Sequence, residues 1–103
     1  IYKALAKTTV YTEEASLLSD VRQFIELVPK AKLVRVEAGT ERGVSDCLIC
    51  YRARFIAAEL KDDIGKPSKP QIDFIQDIIA SGGIAGICRN LKDVLALMLL
   101  TYM

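Results

Sequence analysis

Asp46, Glu59 and Lys61 are the residues of this chain whose types and spacing could do chemistry. Arg42-Gly43-Val44-Ser45-Asp46 is followed, after twelve mostly apolar residues, by Glu59-Leu60-Lys61. The intervening composition reads as two strands joined by a short turn. With a tight turn at Arg52-Ala53, Tyr51 faces Arg54. Counting outward then sets Cys50 opposite Phe55, Leu48 opposite Ala57 and Asp46 opposite Glu59. Opposed residues share one face with Cβ atoms ~4.5–5.5 Å apart, and Lys61, two residues beyond Glu59, falls on that face too. Arg52-Ala53 lacks the usual Asn-Gly turn chemistry, so a longer loop or a bulge would shift this register.

Two carboxylates this close repel each other unless a cation sits between them. All-oxygen ligation favours Mg²⁺ or Mn²⁺, with the Leu60 carbonyl as a further ligand. Such a metal polarises a phosphoryl oxygen and acidifies a bound water, while Lys61 orients that water or stabilises charge on the phosphate. The implied chemistry is metal-dependent phosphodiester hydrolysis. A plainer reading makes Glu59 and Lys61 a surface ion pair on a strand and Asp46 a strand start. Spacing alone leaves both open.

The elements that must position these groups can be read along the chain. Thr12 as N-cap, Glu13-Glu14 in the first turn, an apolar pattern from Leu17 to Val28 and Pro29 as terminator predict a helix near 13–28. Lys32 to Glu37 alternates basic and apolar residues, as a half-exposed strand does, and 38–43 is a glycine-bracketed loop. Strands near 46–51 and 54–61 follow. Ser68 with Gln71 has capping-box spacing for a helix over 68–81, its stripe of Ile72, Ile75, Ile78 and Ile79 facing inward and Gly82-Gly83 ending it. A strand at 84–88 and a helix from Asn90 to Leu100 complete the order αβββαβα. The helix between the third and fourth strands makes a crossover, so those two strands are expected parallel and the first three antiparallel. The fold class is α/β, a mixed sheet flanked by helices.

Composition bounds the alternatives. The 103 residues, 51% hydrophobic and 26% charged, suit one globular domain over 1–103. Net charge is only +1, but Lys30 to Lys69 holds nine basic residues against six acidic ones, two of them the proposed ligands. A bound metal would tilt that face further positive, as a phosphate backbone requires. Three cysteines and no histidine remove Ser-His and Cys-His catalysis and leave too few ligands for tetrahedral zinc. The odd cysteine count, with no signal peptide, points to a reducing intracellular compartment. Cys47 and Cys50, three apart in a strand, point to opposite faces and read as buried thiols rather than a redox pair. No apolar run reaches membrane-spanning length.

The motif Glu41-Arg42-Gly43-Val44-Ser45-Asp46, the hairpin, Ala58-Glu59-Leu60-Lys61 and Gly65-Lys66-Pro67-Ser68-Lys69-Pro70-Gln71 together resemble the VRR-NUC family of the PD-(D/E)xK nuclease superfamily. Gly82-Gly83-Ile84-Ala85-Gly86-Ile87-Cys88-Arg89 and the helix led by Asp93-Val94 continue the resemblance, which covers roughly residues 12–98. It implies a restriction-endonuclease-like fold with Asp46 and Glu59 as metal ligands and Lys61 as the catalytic lysine. It also implies Gln71 as the glutamine beside the active site and Glu14, in preference to Glu13, as the acid completing it. Glu14 reads equally as a first-turn acid favouring the helix dipole, and Gln71 as half of the capping box; the two roles of Gln71 are compatible. The chain departs from the pattern at Ser45, where the family's proline would stand, and at the more acidic Asp62-Asp63.

The resemblance further implies DNA as partner, branched as in a four-way junction or flap, with small members resembling Holliday-junction resolvases. Arg42, Lys66 and Lys69, flanking the motif residues, are the basic groups expected at the DNA. A homodimer is expected because symmetric junction cleavage needs two sites, joined through the last helix or the segment from Ile1-Tyr2. The expected location is the cytoplasm of a bacterial or phage-infected cell. Flap, exonucleolytic or restriction-type nucleases, and a non-catalytic DNA-binding module, are the alternatives.

Overall fold

The hairpin that carries the two carboxylates sits at the centre of a four-stranded mixed sheet. The computed structural model describes residues 10–37 and 41–103, so the expected loop at Ala38-Gly39-Thr40 and the segment from Ile1-Tyr2 lie outside the described residues. Among the described residues the elements are α1 (Glu14–Glu26), β1 (Ala31–Arg35), β2 (Cys47–Tyr51), β3 (Arg54–Leu60), α2 (Lys69–Ala80), β4 (Ile84–Cys88) and α3 (Leu91–Leu99), followed by a 3₁₀ turn at Leu100–Tyr102. The sheet order is β1-β2-β3-β4. β1, β2 and β3 run antiparallel, and β4 lies parallel to β3 after the α2 crossover.

The turn at Arg52-Ala53 is tight despite its composition. Both residues take left-handed φ, 53° and 61°, the conformation a two-residue hairpin turn demands. Tyr51 pairs with Arg54, Cys50 with Phe55 and Leu48 with Ala57, the register expected of a tight turn. Tyr102 fastens the hairpin tip: its hydroxyl lies 2.7 Å from that of Tyr51, and the Arg52 guanidinium sits 3.7 Å from its ring centre. An alanine at left-handed φ is strained, so Ala53→Gly is expected to stabilise the protein by about 1 kcal/mol, read as a higher urea midpoint at unchanged slope.

The core occupies one face of the sheet. Leu17, Val21, Phe24 and Ile25 of α1 and Leu91, Val94 and Met98 of α3 pack against Ile49, Ile56, Leu60, Ile84 and Cys88. The opposite face is thinly covered. α2 buries no residue, and Ile79 is 54% exposed. The expectation of a buried isoleucine stripe there is wrong, because α2 spans only β3 and β4 and leaves Phe55 and Val34 open beside it. Cys50, on that same face, is exposed, whereas Cys47 and Cys88 are buried in the core, so the expectation of a buried thiol fails for Cys50.

Both ends of α1 differ from expectation. α1 is preceded by Glu13 rather than Thr12 at the N-cap position, with no side-chain cap, and ends at Glu26. The amides of Leu27 and Val28 instead bond the carbonyls of Phe24 and Ile25 in a tighter final turn ahead of Pro29. α2 has the capping box: Ser68 Oγ accepts from the Gln71 amide N–H, and Gln71 Oε1 accepts from the Ser68 N–H at 2.8 Å. Asn90 caps α3 through the Asp93 N–H. Gly43, at φ 80°, lies so close to Pro70 that an added Cβ would overlap the Pro70 carbonyl. Gly43→Ala should therefore cost about 2–4 kcal/mol from combined strain and overlap, measurable as a fall in the denaturation midpoint. The same change would pry the turn before Asp46 from the start of α2.

Candidate metal centre

Three elements converge on the acidic residues. The β2–β3 register places Asp46, just before β2, beside Glu59 near the end of β3. The ladder is continued by the Val36 N–H, which donates to the Asp46 carbonyl at 2.8 Å. Asp46 Oδ2 accepts from the Leu60 N–H at 2.9 Å, which fixes the carboxylate against the strand. Glu14, from the first turn of α1, completes the group: oxygens of Glu14, Asp46 and Glu59 all lie within 4.8 Å of one another. Glu13 is not in the cluster.

Glu59 is the unusual member. It is 1% exposed, so it is no surface ion-pair residue. Oε2 accepts from Gln71 Nε2 at 3.3 Å and lies 3.8 Å from Lys61 Nζ, but Oε1 is buried without a hydrogen-bond partner. Burial, then the neighbouring Asp46 carboxylate, pushes the Glu59 carboxyl up to about 8, with Lys61 opposing. A buried carboxylate with an orphaned oxygen is costly. Facing two further carboxylates, it has the donor set and unmet demand that a hard divalent cation satisfies. The residues fit such an ion.

Lys61 Nζ also lies 4.0 Å from Glu14 Oε1, and its side chain is 14% exposed, so it is held over the acids rather than waving in solvent. Gln71 serves both of its expected roles at once, the amide oxygen capping α2 and the amide nitrogen holding Glu59. Leu60 lines the same cleft as Glu14 and Asp46. Because N–H and C=O of a strand residue project to one edge, its carbonyl lies on the Asp46 side.

The loop after Lys61 is braced. Asp62 Oδ1 accepts from the N–H groups of Ile64 and Gly65, the Asp62 carbonyl accepts from Arg89 Nη1 at 2.5 Å, and the Asp63 N–H donates to the Tyr11 carbonyl. The extra acid Asp62 thus shapes the loop leading to Lys66. Ser45 is fully buried, with its Oγ unpartnered.

Of the basic residues expected at the DNA, Arg42 and Lys66 are exposed, while Lys69 is ion-paired with Asp73 at 3.0 Å. Arg22 and Arg35, which motif reading passes over, line the cleft beside Glu14 and Asp46. Their placement depends on how α1 lies against the sheet, which residue spacing does not carry. Among the described residues no helix is long and apolar enough to cross a membrane. No family model, no curated protein and no solved structure matches the chain.

Proposed function

We propose that the chain is a metal-dependent, structure-selective DNA endonuclease of restriction-endonuclease-like fold, similar to the VRR-NUC family, acting on branched DNA in the manner of a Holliday-junction resolvase. The observation that carries this reading is the buried Glu59, one oxygen orphaned and the other held by Gln71 and Lys61, facing Asp46 and Glu14. Asp46 and Glu59 would hold Mg²⁺ or Mn²⁺, with Glu14 and the Leu60 carbonyl beside them. When bound, such an ion polarises the scissile phosphoryl group and supplies a water of lowered pKa.

The chain's own residues do the rest. Lys61, fixed between Glu59 and Glu14, presents a cation where negative charge builds on the phosphate. Gln71 keeps the Glu59 carboxylate from turning away. The Leu60 N–H does the same for Asp46. Arg42 and Lys66 offer solvent-facing charge for neighbouring phosphates. A homodimer would set two such centres on the two strands of a junction, and a cytoplasmic setting agrees with the free thiols.

The test is a panel of labelled four-way junction, flap and linear duplex DNA, each with Mg²⁺, Mn²⁺ or chelator. Junction cutting that depends on metal is the expected result. Preference for flaps or ends reassigns the substrate, and binding without cutting under any metal reduces the chain to a binding module.

A further inference from the structure

A cleft of about 710 Å³ opens beside the acidic trio, between α1 and the sheet. Arg22 and Arg35 line it together with Glu14 and Asp46. Arg22 follows Glu14 and Leu18 at helical spacing, so the three share one stripe of α1. Arg35 ends β1, the edge strand, and pairs with Cys47, the residue after Asp46. Both arginines are exposed, and among the described residues neither guanidinium takes part in a hydrogen bond or an ion pair. A second hollow of about 210 Å³ continues the seam past Arg22 to Lys32.

Two guanidiniums that, among the described residues, no hydrogen bond or ion pair ties down stand in a cleft leading to three carboxylates. They are the side chains best shaped for phosphate. Among the described residues Glu26 is the one acid lining the seam outside the trio, and a divalent ion would offset much of the trio's own charge. We propose that the α1–β1 seam is the track of the DNA strand on one side of the scissile phosphate, with Arg22 and Arg35 each binding a phosphate of that strand. The proposal rests on the nuclease reading and extends it. Arg42 and Lys66, near the start of α2, then serve the other flank.

The test measures affinity for a labelled four-way junction by fluorescence anisotropy across a salt series, in a cleavage-inactive Lys61→Ala background. Arg22→Gln and Arg35→Gln are each expected to flatten the plot of log K against log salt by about 0.9. Each lost contact removes roughly 3.5-fold of the affinity that the parent loses between about 50 and 200 mM salt, and the double variant roughly twelvefold. Arg22→Lys and Arg35→Lys restore the slope, and the exposed Lys92→Gln on α3 leaves it unchanged. An unaltered slope in the double variant, or an equal change in Lys92→Gln, overturns the track. If the unsubstituted protein cuts junctions and its double arginine variant does so with the same KM, this inference falls and the nuclease reading stands. If the unsubstituted protein binds no DNA, or binds only RNA through these arginines, both fall.

Discussion

Glu59→Gln is expected to stop metal-dependent cleavage of DNA, slowing it by on the order of 10³-fold or more, while leaving the protein folded. Glutamine keeps the volume of the buried side chain and still offers an oxygen to Gln71 Nε2, but it removes the charge a cation needs. Lys61→Ala should slow cleavage comparably for a different reason, since it spares the carboxylates and therefore metal binding. The two losses should not add: the double variant is expected to be little worse than either single one, because the groups act as a unit. Single-turnover rates with isothermal titration of Mn²⁺ separate the cases. Glu59→Gln loses both signals, and Lys61→Ala loses cleavage alone. Robust cutting by Glu59→Gln would remove Glu59 from the reaction.

In the presence of chelator, stability should fall as pH rises from about 5 to 8. The Glu59 carboxyl is raised from 4.5 to about 8 in the folded chain. Below pH 4.5 both folded and unfolded states hold this proton and the group adds no penalty. Between the two values the unfolded chain releases it and the folded chain retains it, so folding is opposed increasingly as pH rises. The loss from this one residue is on the order of 4 kcal/mol across the window. Metal binding expels the same proton, so affinity for Mn²⁺ should climb with pH up to about 8 and added metal should restore stability most strongly there. Thermal unfolding of the unsubstituted protein and Glu59→Gln at pH 5, 6.5 and 8 checks this. The expected profile falls for the first and is flat for the second, and a flat profile for both would show that Glu59 does not hold its proton in the folded chain.

Much of this site is legible in the residues because a β-hairpin is a counting device. Once Tyr51 faces Arg54, the period of two carries Asp46 to Glu59 and Lys61 without further information. The turn itself is harder to read, since Arg52 and Ala53 adopt left-handed φ that their types disfavour; Tyr102, from the 3₁₀ turn after α3, contacts both Tyr51 and Arg52 at the tip. The capping box at Ser68-Gln71 was equally local. What the pattern could not reveal was tertiary. The isoleucine spacing in α2 promises burial, but burial depends on how wide a sheet lies beneath, and α2 covers two strands of four. The N-cap of α1 differs locally, Thr12 standing one residue too early and Glu13 taking the position without a side-chain cap. The arginines of the α1–β1 seam carry no motif at all; only the packing of α1 on the sheet brings Arg22 toward Arg35 and Asp46.

Labelled four-way junction DNA incubated with purified protein in Mg²⁺, in Mn²⁺ and in chelator, beside Lys61→Ala, decides whether the acidic trio and Lys61 form a cutting centre. A centre built on Glu14, Asp46, Glu59 and Lys61 predicts cutting in either metal, none in chelator, and cutting slower by on the order of 10³-fold in the variant. Cutting that persists in chelator and in Lys61→Ala would contradict it.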